Sequence, residues 1–196
     1  MYVIKCYFFM IYIFTIYCRY LYSLIIDLKK VSKYVFVDPS LISASHSTRE
    51  IRARNLCSRL MTSKQDQLVV ALYNPGDHWS LVIINPYDDV VYHLDSLRTS
   101  SRDDIKYGLT IFQSQKNLKK TRKTTFWKAV KCPLQVGTVE CGYYVMRCMR
   151  EIVSKDTSII TDAIDTRNPY SSLNWIKYEW SGLNFYLGTY DRYTYI

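Results

Sequence analysis

The sequence predicts an α+β domain in which a small mixed sheet is flanked by helices. Short apolar runs of strand length, at 67–73, 78–84 and 90–95, stand among segments whose apolar residues recur at helical spacing. The chain has 196 residues, which suits one domain with appendages, and 48% of them are hydrophobic, which suffices for a sizeable core. A single α+β domain is therefore the expected architecture.

The start of the chain is strongly apolar, and between Cys6 and Ile26 only Arg19 is charged. A signal peptide or a membrane segment is one interpretation of such a run. We favour a buried helix or strand, because the run contains Arg19 and many tyrosines and lacks a cleavage site of small residues. Residues 19–30 predict an amphipathic helix, whose apolar face consists of Tyr20, Leu21, Leu24, Ile25 and Leu28.

The next elements are a strand and a helix. Residues 34–37 predict a strand that ends before Pro39, because proline has no N–H to give to a sheet ladder. Residues 49–61 predict a helix that carries arginines on its exposed side. The side chains expected to face inward from this helix are Ile51, Leu56 and Leu60.

Three strands follow in the middle of the chain. The run 67–73 predicts a strand, and the runs 78–84 and 90–95 predict a hairpin, because Asn85-Pro86 suits the first two positions of a type I turn. Residues 102–115 then predict a helix. The chain thus has three or four predicted strands among flanking helices.

The second half of the chain contains a basic segment, 116–131, with seven lysines and arginines and no acidic residue. A nuclear-import signal or a nucleic-acid contact is one interpretation, and a solvated loop is the commoner one. The last part of the segment, 126–131, alternates like a half-exposed strand. Residues 154–169 predict a polar loop, and residues 173–187 predict a final helix.

The six cysteines are widely spaced, and no pair forms a C-x-x-C motif. This pattern disfavours a zinc site or a thioredoxin-type site, and it favours reduced thiols in the nucleus or cytoplasm. The formal net charge of +9 agrees with an anionic partner or a nuclear setting. We expect neither a metal nor a cofactor.

Residues 141–152 carry an apolar stripe at helical spacing, and Cys141 stands at its start. Gly137 and Thr138 precede the stripe as a loop and an N-cap would, and Glu140 suits a first helical turn. A thiol in this position lies near the positive end of the helix dipole and near unpaired N–H groups, which favour the reactive thiolate. Cys141 is therefore a candidate nucleophile, and a buried core thiol is the alternative interpretation.

The hairpin supplies candidates for a base and an acid. A turn centred between Pro86 and Tyr87 would place His78 directly opposite Asp95, at the open end of the hairpin. A carboxylate there can fix the imidazole tautomer and stabilise the imidazolium. His93 is the competing base, because it lies two residues before Asp95 and hence on the same strand face. A structural histidine is the expectation for His93, since it lies within an apolar run.

Gln135 lies six residues before Cys141, in the loop that enters the predicted helix. Its side-chain NH₂ group and the backbone N–H of Cys141 have the chemistry of an oxyanion hole. A base, an acid, an oxyanion donor and a nucleophile then follow along the chain as His78, Asp95, Gln135 and Cys141.

This set of residues resembles the Ulp1/SENP family of SUMO-specific cysteine proteases. The similar motifs are His78-Trp79-Ser80-Leu81, Leu94-Asp95-Ser96, and Gln135 with Cys141-Gly142. The intervals of seventeen residues from His78 to Asp95 and of six from Gln135 to Cys141 also fit that family. The stretches 33–40 and 132–147 are most similar to plant Ulp1-like domains, which transposon-derived genes often carry.

The resemblance implies a papain-like cysteine protease fold and hydrolysis after the C-terminal Gly-Gly of SUMO or another ubiquitin-like protein. Cys141 would attack, His78 would transfer the proton, Asp95 would orient His78, and Gln135 would stabilise the oxyanion. Trp79 would cover a narrow tunnel that admits the Gly-Gly tail. The implied partners are ubiquitin-like proteins and their conjugates.

The start of the chain departs from this family, in which a Trp-Leu element is usual; no tryptophan precedes Trp79 here. We expect an apolar segment at 1–31 that replaces the start of the domain, a catalytic core at 32–155 and a helical extension at 156–196. The alternative function is that of a truncated, catalytically weak or inactive Ulp1-like remnant that acts as a binding module for a ubiquitin-like partner.

Overall fold

The computed structural model describes residues 2–43, 47–76, 78–97, 103–116, 125–135 and 141–155, and for residues 2–9 it describes the backbone alone. The predicted helix at 173–187, residues 156–169 of the predicted loop and residues 117–124 of the basic segment lie outside these ranges. Within them, the elements in chain order are α1 (Tyr2–Asp27), β1 (Tyr34–Val37), α2 (Pro39–Ile42), α3 (Arg49–Met61), β2 (Leu68–Tyr73), β3 (Ser80–Asn85), β4 (Val90–Leu94), α4 (Asp103–Gln115), β5 (Phe126–Ala129) and α5 (Cys141–Ser154).

The five strands form one mixed sheet in the order β1-β2-β3-β4-β5. Strands β2, β3 and β4 are antiparallel to one another, and the outer strands β1 and β5 run parallel to their neighbours. The two central strands, β2 and β3, read as continuous apolar runs because helices cover both faces of the sheet. The predicted α+β class is confirmed.

Two apolar clusters lie on opposite faces of the sheet. One joins α1 and α5 to the side chains of Leu72, Leu81 and Ile83. The other joins α3 and α4 to the alternate side chains of the same strands, among them Ala71 and Val82. The molecule therefore has three layers, and the candidate residues Cys141 and Trp79 belong to the layer that contains α1 and α5.

Helix α1 runs unbroken through the apolar start of the chain and buries Phe14, Tyr17, Leu21 and Ile25 at helical spacing. The amphipathic helix predicted at 19–30 is its second half. Leu28 does not belong to the apolar face as predicted, because it follows the end of the helix and is 40% exposed. The window Met10–Asp27, of mean hydropathy 1.3, meets the length and composition of a membrane span, as core helices and signal sequences also do.

The end of α1 turns the chain toward α5. Lys29 has φ of 56°, and the N–H of Lys30 bonds to the carbonyl of Ile25, as in a Schellman motif. The Lys30 ammonium then donates to three carbonyl oxygens at the end of α5, those of Val153, Ser154 and Lys155, at 2.9, 3.2 and 3.2 Å. The Tyr17 hydroxyl donates to the Met146 carbonyl within α5 over 2.9 Å. Helix α1 is thus tied along α5 by polar bonds as well as by packing.

Helix α3 has the predicted bounds and begins after Thr48, whose hydroxyl accepts a bond from the N–H of Ile51. The prediction that Ile51 faces inward is wrong, because the inward face runs through Ala53, Leu56 and Leu60, and Ile51 lies about 200° around the helix from Ala53. The arginines are not all exposed either. Arg52 is partly buried against α4, with its guanidinium 2.9 Å from the Asp104 carboxylate.

The hairpin register differs from the predicted one by two residues. Leu81 pairs with Leu94, so the turn is centred between Tyr87 and Asp88 rather than one residue earlier. The Asn85 side chain accepts the N–H of Asp88, and Asp89 adopts a φ of 56°, which together build a four-residue turn. A two-residue shift keeps every side chain on its predicted face, so the open end of the hairpin still brings the same residues together.

Candidate active site

His78 and Asp95 meet just beyond the paired part of the hairpin. His78 precedes β3, Asp95 follows β4, and His78 Nε2 lies 2.8 Å from Asp95 Oδ1. The same carboxylate oxygen accepts the backbone N–H of Leu97 over 2.9 Å, which fixes the carboxylate in place. Both side chains are about nineteen-twentieths buried, so the contact is a shielded one.

Cys141 is the first residue of α5, as expected for a thiol in the first turn of a helix. Its thiol forms a hydrogen bond with the His78 side chain and receives further bonds from the backbone N–H groups of Trp79 and Gly142. Asp95 engages the Nε2 atom of His78, which leaves Nδ1 as the ring atom for the thiol. One imidazole therefore bridges a thiol and a carboxylate.

The pKa of His78 is raised from 6.5 to about 9. Burial by itself lowers this pKa, but the hydrogen bonds to Asp95 and Cys141 and the negative charges of those two groups outweigh it. At neutral pH the imidazole is therefore protonated.

The pKa of Cys141 is lowered from its ordinary value of 9.0. Burial opposes this shift, and the hydrogen bond and positive charge of His78, together with the N–H groups of Trp79 and Gly142, more than compensate for it. The start of α5 adds the positive end of a helix dipole. These shifts together favour a thiolate–imidazolium pair, which is the nucleophilic form of a cysteine.

Gln135 lies in the described segment before α5 and is buried. Its carbonyl Oε1 accepts a hydrogen bond of 2.6 Å from the Ser96 hydroxyl, and Ser96 is the residue after Asp95. The loop that ends in Gln135 is thereby joined to the turn that carries the carboxylate. Sequence reasoning placed Gln135 in this loop, but it gave Ser96 no role beyond its place in a motif.

Trp79 is buried, and its ring is covered by helix α1. Phe14 meets it edge-on, with the ring centroids 4.8 Å apart. A side-chain atom built on Gly142 would lie 2.1 Å from the Met10 methyl group, so Met10 packs directly on the residue after Cys141. Neither Met10 nor Phe14 was singled out from the sequence, because an apolar helix offers no pattern that tells which side chains reach a distant site.

His93, the competing base, lies within the ladder opposite Val82. It is buried, and its Nε2 is 3.1 Å from the Ser80 hydroxyl. The imidazole that bonds to both Cys141 and Asp95 is that of His78.

The other described thiols differ from Cys141 in their surroundings. Cys18, Cys57, Cys132 and Cys148 form no disulfide, and burial raises the pKa of Cys57 and, far more, that of Cys148. Burial, followed by the charge of Asp38, raises the pKa of Cys18 to about 12. In the described part of the chain no group of His, Cys, Asp and Glu side chains is arranged to hold a metal ion.

Solved structures share this fold at low sequence identity. A crystal structure of a de-sumoylating protease superposes with a TM-score of 0.59 at 21% identity, over 76% of this chain and 62% of that one. The Xanthomonas campestris effector protein XopD, bound to ubiquitin, gives 0.52 at 17% identity, over 82% of this chain and 86% of that one. The SUMO protease Ulp1 with its catalytic cysteine oxidised to a sulfinic acid gives 0.51 at 14% identity, over 82% and 68%. The chain thus spans about three fifths of the first of these structures.

No curated protein matches the sequence significantly. A family model does match, that of the C-terminal catalytic domain of the Ulp1 protease family, and it covers residues 16–166. This range contains the hairpin, the Gln135 loop and α5, and it exceeds half of the chain. The fold agrees with that of the solved Ulp1-type proteases. The chain belongs to the Ulp1 protease family.

Proposed function

We propose that the protein is a cysteine peptidase that cleaves after the C-terminal Gly-Gly of SUMO or another ubiquitin-like protein. The observation that carries the proposal is the His78 imidazole, which bonds to both the Cys141 thiol and the Asp95 carboxylate. A thiol next to a protonated, carboxylate-bound imidazole is the arrangement that acyl transfer to sulfur requires.

In the first half of the reaction, the Cys141 thiolate attacks the carbonyl carbon of the scissile bond. The carbon–nitrogen bond then breaks, and the departing amine takes the proton from the His78 imidazolium. The terminal glycine of the modifier remains on Cys141 as a thioester. Asp95 holds the imidazole ring in place throughout and stabilises its charge, for which their 2.8 Å contact is suited.

In the second half, a water molecule attacks the thioester while His78 accepts its proton. The carbon–sulfur bond breaks, the modifier leaves with a free carboxylate, and the thiolate is restored. Both steps develop negative charge on the carbonyl oxygen. The Gln135 NH₂ group and the backbone N–H of Cys141 are the donors we assign to that oxygen.

A ubiquitin-like substrate is supported by the solved relatives, one of which is a de-sumoylating protease and another of which was captured with ubiquitin. We assign Trp79 to the binding of the Gly-Gly tail, since it immediately follows His78 and its N–H bonds to Cys141. Phe14 now covers the ring of Trp79. For a peptide to lie against that ring, the part of α1 that carries Met10 and Phe14 has to shift.

The test is cleavage of SUMO and of ubiquitin, each extended at its C-terminus by a fluorescent reporter. We expect release of the reporter from at least one of them, and no release by Cys141→Ala. Cys57→Ala is the matched control, because Cys57 is a buried thiol in the other apolar cluster. An unmutated protein that cleaves neither substrate, and whose Cys141 does not react with a vinyl sulfone at the C-terminus of either modifier, would contradict the proposal.

The inactive binding module remains the contrasting outcome of the same test, since it would bind a modifier without releasing the reporter. The bonded set of Cys141, His78 and Asp95 supports the enzyme instead. We further propose that the protein acts in the nucleus or cytoplasm, supported by the lack of a disulfide among its described cysteines and by its net charge of +9. Microscopy of a fluorescent fusion tests this location, and a secreted or membrane-inserted fusion would contradict it.

A further inference from the structure

Ser96 lies in the turn that follows β4, and its side chain is buried. Its hydroxyl donates to Gln135 Oε1 over 2.6 Å, and the backbone N–H of Gln135 lies 3.4 Å from the Ser96 carbonyl oxygen. The preceding residue, Asp95, bonds to His78. Two consecutive residues of one turn therefore hold the side chains of two different functional residues.

We propose that Ser96 is a positioning residue for the oxyanion hole, which it completes by holding the amide of Gln135 by its carbonyl end. The inference rests on the proposed function, in which Gln135 donates to the oxyanion. An amide side chain has an acceptor end and a donor end. The Ser96 hydroxyl engages the acceptor end of the Gln135 amide, which fixes the direction in which the NH₂ end points.

The physical benefit of this contact is preorganisation. A free glutamine side chain samples many rotamers, and fixing one of them costs conformational entropy. An amide turned the other way would present its carbonyl dipole to the oxyanion and oppose the reaction. Donors that are already aimed when charge develops stabilise a transition state most. Ser96 acts through Gln135 and touches neither the substrate nor Cys141 in this scheme.

The experiment compares Ser96→Ala with Ser96→Thr, which keeps a hydroxyl, in cleavage of a SUMO or ubiquitin reporter fusion. For Ser96→Ala we expect kcat to fall about 10-fold with little change in KM, because one orienting hydrogen bond is lost. A peptide aldehyde ending in Gly-Gly should inhibit this variant correspondingly less, since its adduct with Cys141 carries the same oxyanion. Ser96→Thr should recover most of both losses.

The rate at which iodoacetamide alkylates Cys141 separates a positioning role of Ser96 from a merely structural one. General disruption of the site would change this rate, whereas misplacement of Gln135 alone would not. This reaction displaces iodide and needs no oxyanion hole. Ser96→Ala should therefore leave the alkylation rate within about twofold of that of the unmutated protein and leave its pH profile unchanged. Ser80→Ala is the matched control, because Ser80 is a buried serine whose hydroxyl bonds to His93. We expect Ser80→Ala to leave aldehyde inhibition unchanged.

The double variant Ser96→Ala with Gln135→Ala decides whether the two residues act together. If Ser96 works through Gln135, the double variant should be no slower than Gln135→Ala alone. Losses that multiply, or an unchanged kcat in Ser96→Ala, would overturn the proposal. If Ser96→Ala does not fold, Gln135→Asn is tested instead. This variant keeps an amide but shortens the side chain by one methylene, so the amide no longer reaches Ser96. Full activity of Gln135→Asn would overturn the proposal.

Failure of the proposed function gives a different result. The unmutated protein would then neither cleave the fusions nor bind the aldehyde, and the role assigned to Ser96 would fall with it. An active unmutated protein with an insensitive Ser96 would overturn the positioning role alone.

Discussion

Phe14 and Trp79 pack edge-on, with their ring centroids 4.8 Å apart and their planes inclined by 70°. Met10, one turn earlier on the same helix, lies against Gly142. One helix thus contacts the neighbour of the candidate base and the neighbour of the candidate nucleophile. Access to Cys141 should therefore depend on side chains of α1.

Phe14→Leu tests this dependence. Leucine contacts less of the Trp79 ring than phenylalanine does, so a bulky maleimide should gain more in its rate of reaction with Cys141 than small iodoacetamide does. The ratio of the two rate constants is the measurement. Leu21→Ala is the control, because Leu21 is buried two turns along the same helix. A ratio that changes equally in both variants would indicate general loosening and contradict the prediction.

Cys141→Ala should abolish cleavage and leave the melting temperature nearly unchanged, because it removes the nucleophile and little volume. Cys148→Ala, on the buried side of the same helix, should instead lower the free energy of unfolding by about 1 kcal/mol or more. Reporter cleavage and thermal unfolding separate the two effects. Labelling of Cys148, rather than Cys141, by an electrophilic probe would contradict the assignment of the nucleophile.

His78 and His93 should respond differently to substitution by alanine. His78→Ala removes the imidazolium that lowers the pKa of Cys141, so alkylation of Cys141 near neutral pH should become slow. His93→Ala should change the melting temperature more than the alkylation rate, since its ring is buried and bonds to Ser80. The opposite pattern would make His93 the base.

The pH dependence of kcat/KM should be bell-shaped. Activity should appear as pH rises through the lowered pKa of Cys141, when the thiolate forms, and disappear as pH rises through the pKa of His78 at about 9, when the imidazolium is lost. Asp95→Asn removes a charge and weakens a hydrogen bond that raise the pKa of His78. The alkaline limb should therefore move to lower pH and the acid limb to higher pH, which narrows the profile from both sides. Asp88→Asn is the control, because Asp88 is an exposed turn residue of the same hairpin. If Asp95→Asn leaves the alkaline limb in place, Asp95 is not the group that raises the pKa of His78.

Trp79 should discriminate among substrate tails. If its ring lies over the tail, a residue with a branched side chain fits poorly beneath it, and glycine keeps the backbone thin. Initial rates at one concentration should favour Gly-Gly over Gly-Val tails by roughly tenfold or more. Trp79→Ala should reduce that preference and also lower the rate, because the scissile bond is then held less firmly against Cys141. Equal cleavage of both tails by the unmutated protein would contradict the assignment of Trp79 to binding of the substrate tail.

The elements with strong local patterns could be predicted from the sequence. Strand β1 and helix α3 have the predicted bounds, since turn residues and a capping Thr48 mark their ends. The proximity of His78 and Asp95 also followed, although the register was wrong by two residues, because such a shift does not change the face on which a side chain lies. The chemical roles of these residues remain predictions.

Contacts between distant segments could not be predicted in the same way. Periodicity predicted an apolar helical face only for residues 19–30, and nothing local selects Phe14 among the many aromatic residues of α1 as the partner of Trp79. The bond from Ser96 to Gln135 joins residues 39 positions apart, and it depends on how β4 and the loop before α5 are placed by the whole sheet. Such contacts follow from the packing of layers, which local sequence patterns do not reveal.

Lys30 couples the stability of α5, the helix that carries Cys141, to that of α1. The last carbonyl groups of a helix have no partners within it. The Lys30 ammonium binds those of Val153 and Ser154 at the end of α5 and that of the next residue, Lys155. Helices α1 and α5 are also joined by the bond from Tyr17 to Met146. We therefore expect the amide hydrogens of α1 and α5 to exchange with solvent as one cooperative unit. Local unfolding of α1 would then also unfold α5, the helix that carries Cys141.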